Sequence, residues 1–266
     1  MPELPEVETV VRRLRSSLIG RTFGDAYVSW GRMLQMSPDE LNLRLPGQRI
    51  EAIDRRGKYL IFRLSHGDSL IVHLKMTGDL VVVPAGHPAH QHDRIVFDLD
   101  DGSQLRFRDP RKFGRVYLTD EPATVLGRLG PEPLDKWFTE EDFLGLFDRR
   151  SGRIKPLLLD QQFIAGLGNI YADEALFLAG IRPERRSNSL SEQDKRRLYR
   201  AIREVLAMAI EQQGSSLADE TYRGGRYQDR FLVYGRSEQP CCQCGSLIRR
   251  IRLGQRSAHF CPICQQ

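Results

Sequence analysis

The spacing of apolar residues changes along this chain from a helical period to a strand period. Between residues 6 and 19 the apolar positions recur at helical spacing and Gly20 follows them, which predicts a leading helix. Short apolar runs then predict strands at residues 50–53, 59–62, 70–74, 80–83 and 94–99. Asp101-Gly102 predicts a hairpin turn, with Leu105 and Phe107 on the returning strand. The first half is therefore predicted to be rich in β-structure.

Helical patterns dominate beyond Gly130-Pro131-Glu132-Pro133, a segment typical of a linker. Thr139 starts a capping-box pattern, and Ser191 can cap a long amphipathic helix that ends at Gly214. Shorter helices are predicted over residues 154–159 and 170–179, and a glycine-containing loop at 166–169 lies between them. The sequence therefore predicts a helical second half.

Composition limits the class of protein. The 266 residues suffice for two modest domains, and an apolar fraction of 40% is typical of a globular chain. No apolar run is long enough to span a bilayer, so we expect no membrane partner. The formal net charge of +5 is only a weak indication of nucleic acid, but arginine is concentrated at residues 106–111, 223–230 and 249–256. Basic residues at turns favour phosphate binding over a merely solvated surface.

All five cysteines of the chain lie after residue 240. Cys241-x-x-Cys244 and Cys261-x-x-Cys264 have the spacing of a tetrahedral zinc site, and a strand-like spacer of zinc-ribbon length separates them. We predict one structural Zn²⁺, with two disulfides or a redox site as the alternatives. No signal peptide is recognisable, so we expect a reducing, cytoplasmic compartment in which disulfides are rare. Cys242 leaves a second register open, although the two-residue spacing favours Cys241.

The N-terminus carries a candidate nucleophile. Removal of Met1 would leave Pro2 with a free secondary amine. An α-amino group titrates near pH ~8, against ~10.4 for lysine, so more of it is unprotonated at neutral pH. An iminium formed from it would stay cationic and act as an electron sink, while Glu3, with Glu6 nearby, could move protons. Many chains begin with Met-Pro-Glu for no chemical reason, and at this point that interpretation stays open.

Two further groups of residues could hold DNA. The loop before Asn169 could bind phosphate at a helix N-terminus with Lys155 facing it, or could be a turn between packed helices. Lys58, which follows a glycine, is a candidate phosphate contact or an exposed lysine at the entry to a strand. Candidate wedges for a base stack, each of which could instead be an ordinary buried residue, are Met76, Arg111 and Phe113.

Several segments resemble one known family. The opening MPELPEVETV, DPRKFG at residues 109–114, GLGNIYA at 166–172 and VYGR at 233–236 are similar to segments of formamidopyrimidine-DNA glycosylases. They occur in the same order and extend from end to end. The related endonuclease VIII branch typically has glycine where Leu4 stands, so the resemblance favours the purine-lesion branch and leaves oxidised pyrimidines as the alternative.

The resemblance implies a base excision repair enzyme with two activities. It would be a DNA glycosylase for oxidised purines, namely 8-oxoguanine and formamidopyrimidines, and an abasic-site lyase that acts by β,δ-elimination. By similarity, Pro2 would attack C1′, Glu3 would transfer protons, and Lys58 would belong to the same catalytic group. The partner would be double-stranded DNA with an oxidised base or abasic site, bound by a monomer. A catalytically silent DNA-binding protein and a metal-dependent nuclease are the remaining rivals.

The resemblance also implies the architecture, an α+β multidomain fold. Residues 1–130 would form a β-sandwich with a leading helix, 131–138 a hinge linker, 139–232 a helix–two-turn–helix domain, and 233–266 a four-cysteine β-hairpin zinc finger. A loop at residues 217–227 would cover the flipped base. The predicted DNA contacts are Lys155, Asn169, Arg256, Met76, Arg111, Phe113 and His92.

Overall fold

A computed structural model describes residues 1–148, 150–216 and 224–266 of the chain. The chain divides into two units. The first contains Met1–Arg128 with the described residues between Ser216 and Gly225, and the second contains Leu129–Ser215 with Arg226–Gln266. Among the described residues, none of the helices combines the length and the hydropathy that a bilayer crossing needs.

Two four-stranded antiparallel sheets form the first unit. The strands are β1 (Phe23–Val28), β2 (Ile50–Arg56), β3 (Tyr59–Leu64), β4 (Ser69–His73), β5 (Asp79–Val83), β6 (Asp93–Leu99), β7 (Gln104–Arg108) and β8 (Arg115–Thr119). They pair in the orders β1-β6-β7-β5 and β2-β3-β4-β8. Side chains from both sheets share one core, in which Phe23 packs against Phe62 and Phe97. The predicted β-sandwich is confirmed.

Helices close the sandwich where its sheets would otherwise be open. Helix α1 (Leu4–Leu18) contacts β2, β3 and β5, and its predicted apolar face is buried in the core. Helix α2 (Pro38–Arg44) covers the outer strand β1, because the Asn42 amide both accepts from Ala26 N–H at 2.7 Å and donates to Ala26 C=O at 2.9 Å. A short helix α3 (Ala123–Leu126) follows β8. The apolar pattern of the sequence did not predict β1, α2, β8 or α3.

The second unit combines helices with a β-hairpin. Its elements are α4 (Glu140–Gly145), α5 (Ile154–Leu159), α6 (Asn169–Leu178), α7 (Glu192–Glu211), β9 (Arg249–Leu253) and β10 (Arg256–Phe260). Short 3₁₀ turns lie at Gly31–Met33 in the first unit and at Ser187–Ser189 and Tyr227–Arg230 in the second. Helix α6 is central, since it contacts α5, α7 and β10.

Both predicted helix caps of the second unit are present. Ser191 Oγ accepts from the Asp194 N–H at 3.1 Å, and Asp194 accepts in return from the Ser191 N–H at 3.1 Å. Thr139 and Asp142 make the same reciprocal pair at the start of α4. These bonds satisfy N–H groups that the first turn of a helix leaves without partners, so they fix where α4 and α7 begin.

Candidate active site and metal centre

The N-terminal pair lies directly before helix α1. Glu3 is the cap residue of α1 and is only 2% exposed, and Pro2 is buried as well. The Glu6 carboxylate accepts a hydrogen bond of 2.8 Å from the Glu3 backbone N–H. The Glu3 side chain accepts in return from the Glu6 backbone N–H, so both carboxylates cap the start of the helix. Glu3 is the carboxylate immediately adjacent in sequence to the Pro2 nitrogen.

Lys58 lies in the two-residue turn that joins β2 to β3. Gly57 precedes it with φ of +56°, in the left-handed region that favours glycine. Lys58 itself is 5% exposed. The turn therefore buries this lysine, and the alternative of an exposed lysine at a strand entry does not hold.

A buried histidine beside Lys58 is absent from the sequence-based candidates. His73 ends β4, and its ring meets that of Tyr59 with centroids 4.6 Å apart. Burial, together with the charges of Lys75 and Lys58, lowers the pKa of His73 to about 3. Its Nδ1 accepts from the Lys75 N–H at 2.9 Å. The sequence signal was a histidine in an apolar run directly before the turn of Met76.

Two turns of the first unit are joined by one buried carboxylate. Thr77 Oγ1 donates to Asp109 at 2.6 Å, and Asp109 also accepts from the Arg111 N–H at 3.1 Å and the Gly114 N–H at 2.8 Å. Gly114 is confined, since an added Cβ would lie 2.4 Å from the Phe107 ring. The predicted wedge segments therefore form one bonded structure although they are far apart in sequence.

The predicted wedge residues differ in exposure. Phe113 is 47% exposed, and the Arg111 guanidinium lies 5.0 Å from the centre of its ring. Met76 is half-buried. Between Arg111 and Phe113, Lys112 has a left-handed φ of +61° and places its Nζ 4.1 Å from the centre of the Trp30 ring. A flat guanidinium and an aromatic ring are thus available at one exposed turn.

His92 lies beside the same pair of turns. Its carbonyl accepts from the Asp109 N–H at 3.0 Å, and its Nδ1 lies 3.2 Å from an Arg94 nitrogen. Arg94 also donates to the Asp109 carbonyl at 2.9 Å. The structure thus brings His92 next to the Asp109 turn, beside the Arg94 guanidinium.

The predicted phosphate loop leads into helix α6. Gly168 caps the helix and Asn169 is its first residue. Among the described residues, the buried Oδ1 of Asn169 has no hydrogen-bond partner. A helix N-terminus offers backbone N–H donors and a positive dipole end, so this position suits an anion.

Lys155 does not reach the surface. It is 1% exposed, and its Nζ lies 2.6 Å from Asp173 Oδ1. The sequence expectation of a lysine that faces the same anion as Asn169 is therefore not met in this structure, because the carboxylate of α6 holds the ammonium inside the fold.

Arg256 is exposed at the first position of β10, directly after the turn at Gly254-Gln255. It lines a groove of about 480 Å³ together with Arg250 and Arg252. Three guanidinium groups on one hairpin produce a local positive potential that attracts phosphate.

The four paired cysteines converge on one point. Their sulfur atoms all lie within 4.8 Å of one another, with 3.8 Å between Cys241 and Cys264 and 3.5 Å between Cys244 and Cys261. A disulfide needs about 2.0 Å, whereas thiolates about 2.3 Å from a tetrahedral metal lie close to 3.8 Å apart. The donor set therefore fits one metal ion with four sulfur ligands and no open position.

Hydrogen bonds prepare the cluster for a metal. Backbone N–H groups of Gln243 and Cys264 point at the sulfur atoms of Cys241 and Cys261, each at 3.4 Å. Hydrogen bonds from Ser246 lower the pKa of the Cys244 thiol to about 6, whereas burial raises the pKa of the Cys261 and Cys264 thiols. Thiolate is the form that binds metal, so metal binding must release the protons of these two thiols.

Cys242 is not part of the cluster. It is exposed and lines a separate cavity of about 420 Å³ with Tyr227, Met208 and Phe231. The register of the site is therefore the one that uses Cys241. The predicted base-covering loop at residues 217–227 lies outside the described residues except for residues 224–227.

Three domain families match successive parts of the chain. Residues 1–116 match the formamidopyrimidine-DNA glycosylase N-terminal domain, 129–221 the formamidopyrimidine-DNA glycosylase H2TH domain, and 238–266 the zinc finger found in FPG and IleRS. Proteins named formamidopyrimidine-DNA glycosylase from Herpetosiphon aurantiacus and Stutzerimonas stutzeri are 47% and 44% identical to this chain, and each comparison covers 100% of both proteins. The chain belongs to the formamidopyrimidine-DNA glycosylase family.

Solved structures of this glycosylase family share the fold. MutM in complex with DNA containing carbocyclic 8-oxo-G matches with a TM-score of 0.93 at 39% identity and covers 100% of both chains. Lactococcus lactis Fpg bound to abasic-site DNA matches with a TM-score of 0.93 at 39% identity over 99% of both chains. Its complex with Fapy-dG DNA gives 0.92 at 39% identity, covering 99% of this chain and 100% of that one. The predicted resemblance and fold class are confirmed.

The family match also identifies the metal. The zinc-finger domain of the formamidopyrimidine-DNA glycosylase family covers the residues in which the four sulfur atoms meet. Cys241, Cys244, Cys261 and Cys264 therefore form the site of one structural Zn²⁺, as the sequence predicts. When bound, the zinc supplies a structural crosslink between the two cysteine pairs, because four thiolates leave no position for a reacting water.

Proposed function

We propose that this chain is a bifunctional DNA glycosylase and abasic-site lyase that removes 8-oxoguanine and formamidopyrimidines from double-stranded DNA during base excision repair. Support comes from the full-length relatives named formamidopyrimidine-DNA glycosylase and from related enzymes solved with 8-oxo-G, Fapy-dG and abasic DNA. The observation that carries the proposal is the Pro2-Glu3 pair, buried directly before helix α1.

Chemistry begins once Met1 is removed and the Pro2 nitrogen has a lone pair. That nitrogen forms a bond to C1′ of the damaged nucleoside, and the C1′–N bond to the base breaks with its electron pair and a proton going to the base. The ring oxygen then leaves as a hydroxyl, taking a proton from the Glu3 carboxyl group, and an iminium joins Pro2 to C1′. Intact-mass measurement of active enzyme should show a chain that begins at Pro2.

The iminium makes the hydrogen at C2′ acidic, because the electrons released there are drawn towards the cationic nitrogen. Loss of that proton expels the phosphate at C3′, and a second elimination expels the phosphate at C5′. Hydrolysis of the imine then returns the amine. We propose Glu3 as the proton-transfer group, because it is the buried carboxylate next to Pro2 in the chain.

Lys58 completes the proposed catalytic group as a cation at the lesion phosphate. Its burial in the turn between β2 and β3 would make an ion pair with phosphate stronger than one in open solvent. We propose that Asn169 and Arg256 contact phosphates of the DNA backbone. We also propose that the space left by the flipped base and the adjacent groove are occupied by Met76, Arg111, Phe113 and His92.

The domain boundaries and the cellular setting belong to the same proposal. We propose a sandwich domain at residues 1–130, a hinge at 131–138, a helical domain at 139–232 and the finger at 233–266, acting as a monomer. Four free thiols gathered around one point suit a reducing cytoplasm, where they stay available for zinc.

Excision assays test the lesion class. Duplexes that differ only in carrying 8-oxoguanine or thymine glycol should be cut at clearly different rates, with 8-oxoguanine faster. Preference for thymine glycol would instead place the chain with oxidised-pyrimidine enzymes. Cleavage should survive a short exposure to EDTA, because the imine route uses no catalytic metal, and immediate loss of cleavage would favour a metal-dependent nuclease.

A further inference from the structure

A buried charge network joins three elements of the second unit. Lys155 on α5 and Asp173 on α6 are 1% and 0% exposed, and their charged atoms lie 2.6 Å apart. The other oxygen of Asp173 accepts from the His259 backbone N–H at 2.9 Å and lies 3.1 Å from His259 Nδ1. One carboxylate therefore bonds helix α5 and strand β10 to helix α6.

Hydrogen bonds hold both the backbone and the side chain of Ser257, the second residue of β10. Lys155 Nζ donates to the carbonyl oxygen of Ser257, and Arg250 donates to the Ser257 hydroxyl at 2.8 and 3.0 Å. Ser257 directly follows Arg256, and His259 lies two positions further along the same strand. The start of β10, from which the Arg256 side chain projects, is thus held by bonds to Lys155, Asp173 and Arg250.

The same helix also carries the other proposed phosphate contact. Asn169 is the first residue of α6, and Asp173 lies four residues later. Residues four apart share one face of a helix, about one turn away from each other. The distance from Asn169 to Arg256 is therefore set by one turn of α6, by the Asp173 carboxylate and by the short stretch of β10 that leads from His259 back to Arg256.

Burial of the Lys155–Asp173 ion pair contributes little net stability to the fold. Removing two charges from water costs as much as their attraction returns, and apolar replacements of buried ion pairs are often neutral. The network is better suited to fixing one geometry. We propose that Asp173 is a positioning residue, with Lys155 as its counter-ion, which sets the spacing of Asn169 and Arg256 for two phosphates of damaged DNA. The inference rests on the proposed function.

A double-mutant cycle tests this role. Affinity for a duplex with a tetrahydrofuran abasic analogue is measured for the zinc-loaded full chain, Asp173→Asn, Arg256→Ala and the pair. Asp173→Asn should weaken binding by about tenfold, a size typical of coupled neighbours. In the Arg256→Ala background the same change should have almost no further effect. If Asp173→Asn weakens both backgrounds equally, the carboxylate does not act through Arg256 and the proposal is overturned.

A matched control separates positioning from general destabilisation. Asp194 is a buried carboxylate of α7 that pairs with Arg185 and Arg197, and the hydrogen bonds and ion pairs of the described residues do not join it to β10. Asp194→Asn should leave affinity for the abasic duplex within about twofold in both backgrounds, as expected for independent sites. An equal loss of affinity in Asp194→Asn would also contradict the proposal.

A second variant covers the possibility that Asp173→Asn alone disturbs the finger. Lys155→Met combined with Asp173→Asn removes both charges and leaves an oxygen for the His259 N–H. It should retain zinc and yet show the same dependence on Arg256, and wild-type affinity in this variant would overturn the proposal. Failure of the wild-type chain to bind or cut lesion DNA would instead refute the proposed function.

Discussion

Thr77 donates its hydroxyl to the Asp109 carboxylate over 2.6 Å, and this bond joins the turn of Met76 to the turn that carries Arg111 and Phe113. Asp109 is completely buried, so its oxygens need such donors in place of water. The proposed wedge residues therefore keep a fixed spacing that neither turn could provide alone.

Thr77→Val tests this bond, since it replaces the hydroxyl by a methyl group of similar size. The Asp109 carboxylate loses a donor, so the free energy of unfolding should fall by about 1–3 kcal/mol, the usual cost of an unsatisfied buried group. Excision of 8-oxoguanine should slow as well, while Thr77→Ser should behave like the wild type. A Thr77→Val variant with unchanged stability and excision would show that the two turns are held by something else.

Lys112 provides a paired test of backbone strain. Its φ of +61° costs a residue with a Cβ roughly 1–2 kcal/mol, and glycine avoids that cost. Both Lys112→Gly and Lys112→Ala lose the contact with the Trp30 ring. Lys112→Gly should therefore exceed Lys112→Ala in stability by about 1 kcal/mol. Urea unfolding followed by Trp30 fluorescence, with Trp137→Phe in every variant, measures the difference, and equal stabilities would exclude the left-handed conformation.

His73 should make the first unit sensitive to acid. The unfolded chain binds a proton at this position below about pH 6.5, and the folded chain does so only near pH 3. The unfolded state thus holds more protons between these values, so stability is complete above pH 6.5 and falls towards pH 3, by about 1.4 kcal/mol per pH unit. Burial of the ring keeps the imidazole neutral, and the charges of Lys75 and Lys58 add to this effect.

Substitution isolates this contribution from the other titrating groups. His73→Gln cannot take up a proton, so its free energy of unfolding should decline less steeply than that of the wild type between pH 6.5 and 4. His66 is exposed, and His66→Gln should follow the wild-type curve. Chemical denaturation at a series of pH values gives the slopes, and parallel curves for His73→Gln and wild type would refute the lowered pKa.

The cysteine register predicts which thiol the finger needs. Cys261→Ser removes one of four ligands, and zinc content should fall well below one ion per chain because metal binding supplies much of the folding energy of such sites. Cys242→Ser should retain one zinc ion, since that thiol faces another cavity. Elemental analysis of the two proteins after dialysis decides the matter. Loss of zinc from Cys242→Ser would mean that the alternative register is used.

The sequence was sufficient for elements with a regular hydrophobic period. Helix α1 and strands β2 to β7 follow from that pattern because each contributes apolar side chains to one shared core. Strand β1 escaped prediction because a bulge between Phe23 and Ala26 interrupts its alternation. Helix α2 escaped because its seven residues bury only Leu41, although the Ser37-Pro38 start was a usable signal.

Site features that depend on residues close together in sequence were predictable, and those that depend on contacts between distant residues were not. Cysteine spacing was enough to choose Cys241 over Cys242, since a metal site of this type is built from short local turns. The fate of Lys155 was not predictable, because its burial depends on Asp173, which lies on another helix. The bond between Thr77 and Asp109 was hidden for the same reason, as it spans 32 residues.

The proposed chemistry requires that the Pro2 nitrogen is the atom that becomes bonded to the sugar. Borohydride reduction during turnover of an 8-oxoguanine duplex should trap one covalent protein–DNA adduct, and peptide mapping should place it on the nitrogen of Pro2. A Pro2→Gly chain should still be trapped, more weakly, through its primary amine. An adduct that maps to a lysine such as Lys58, or full turnover by protein whose first residue is acetylated, would contradict the account.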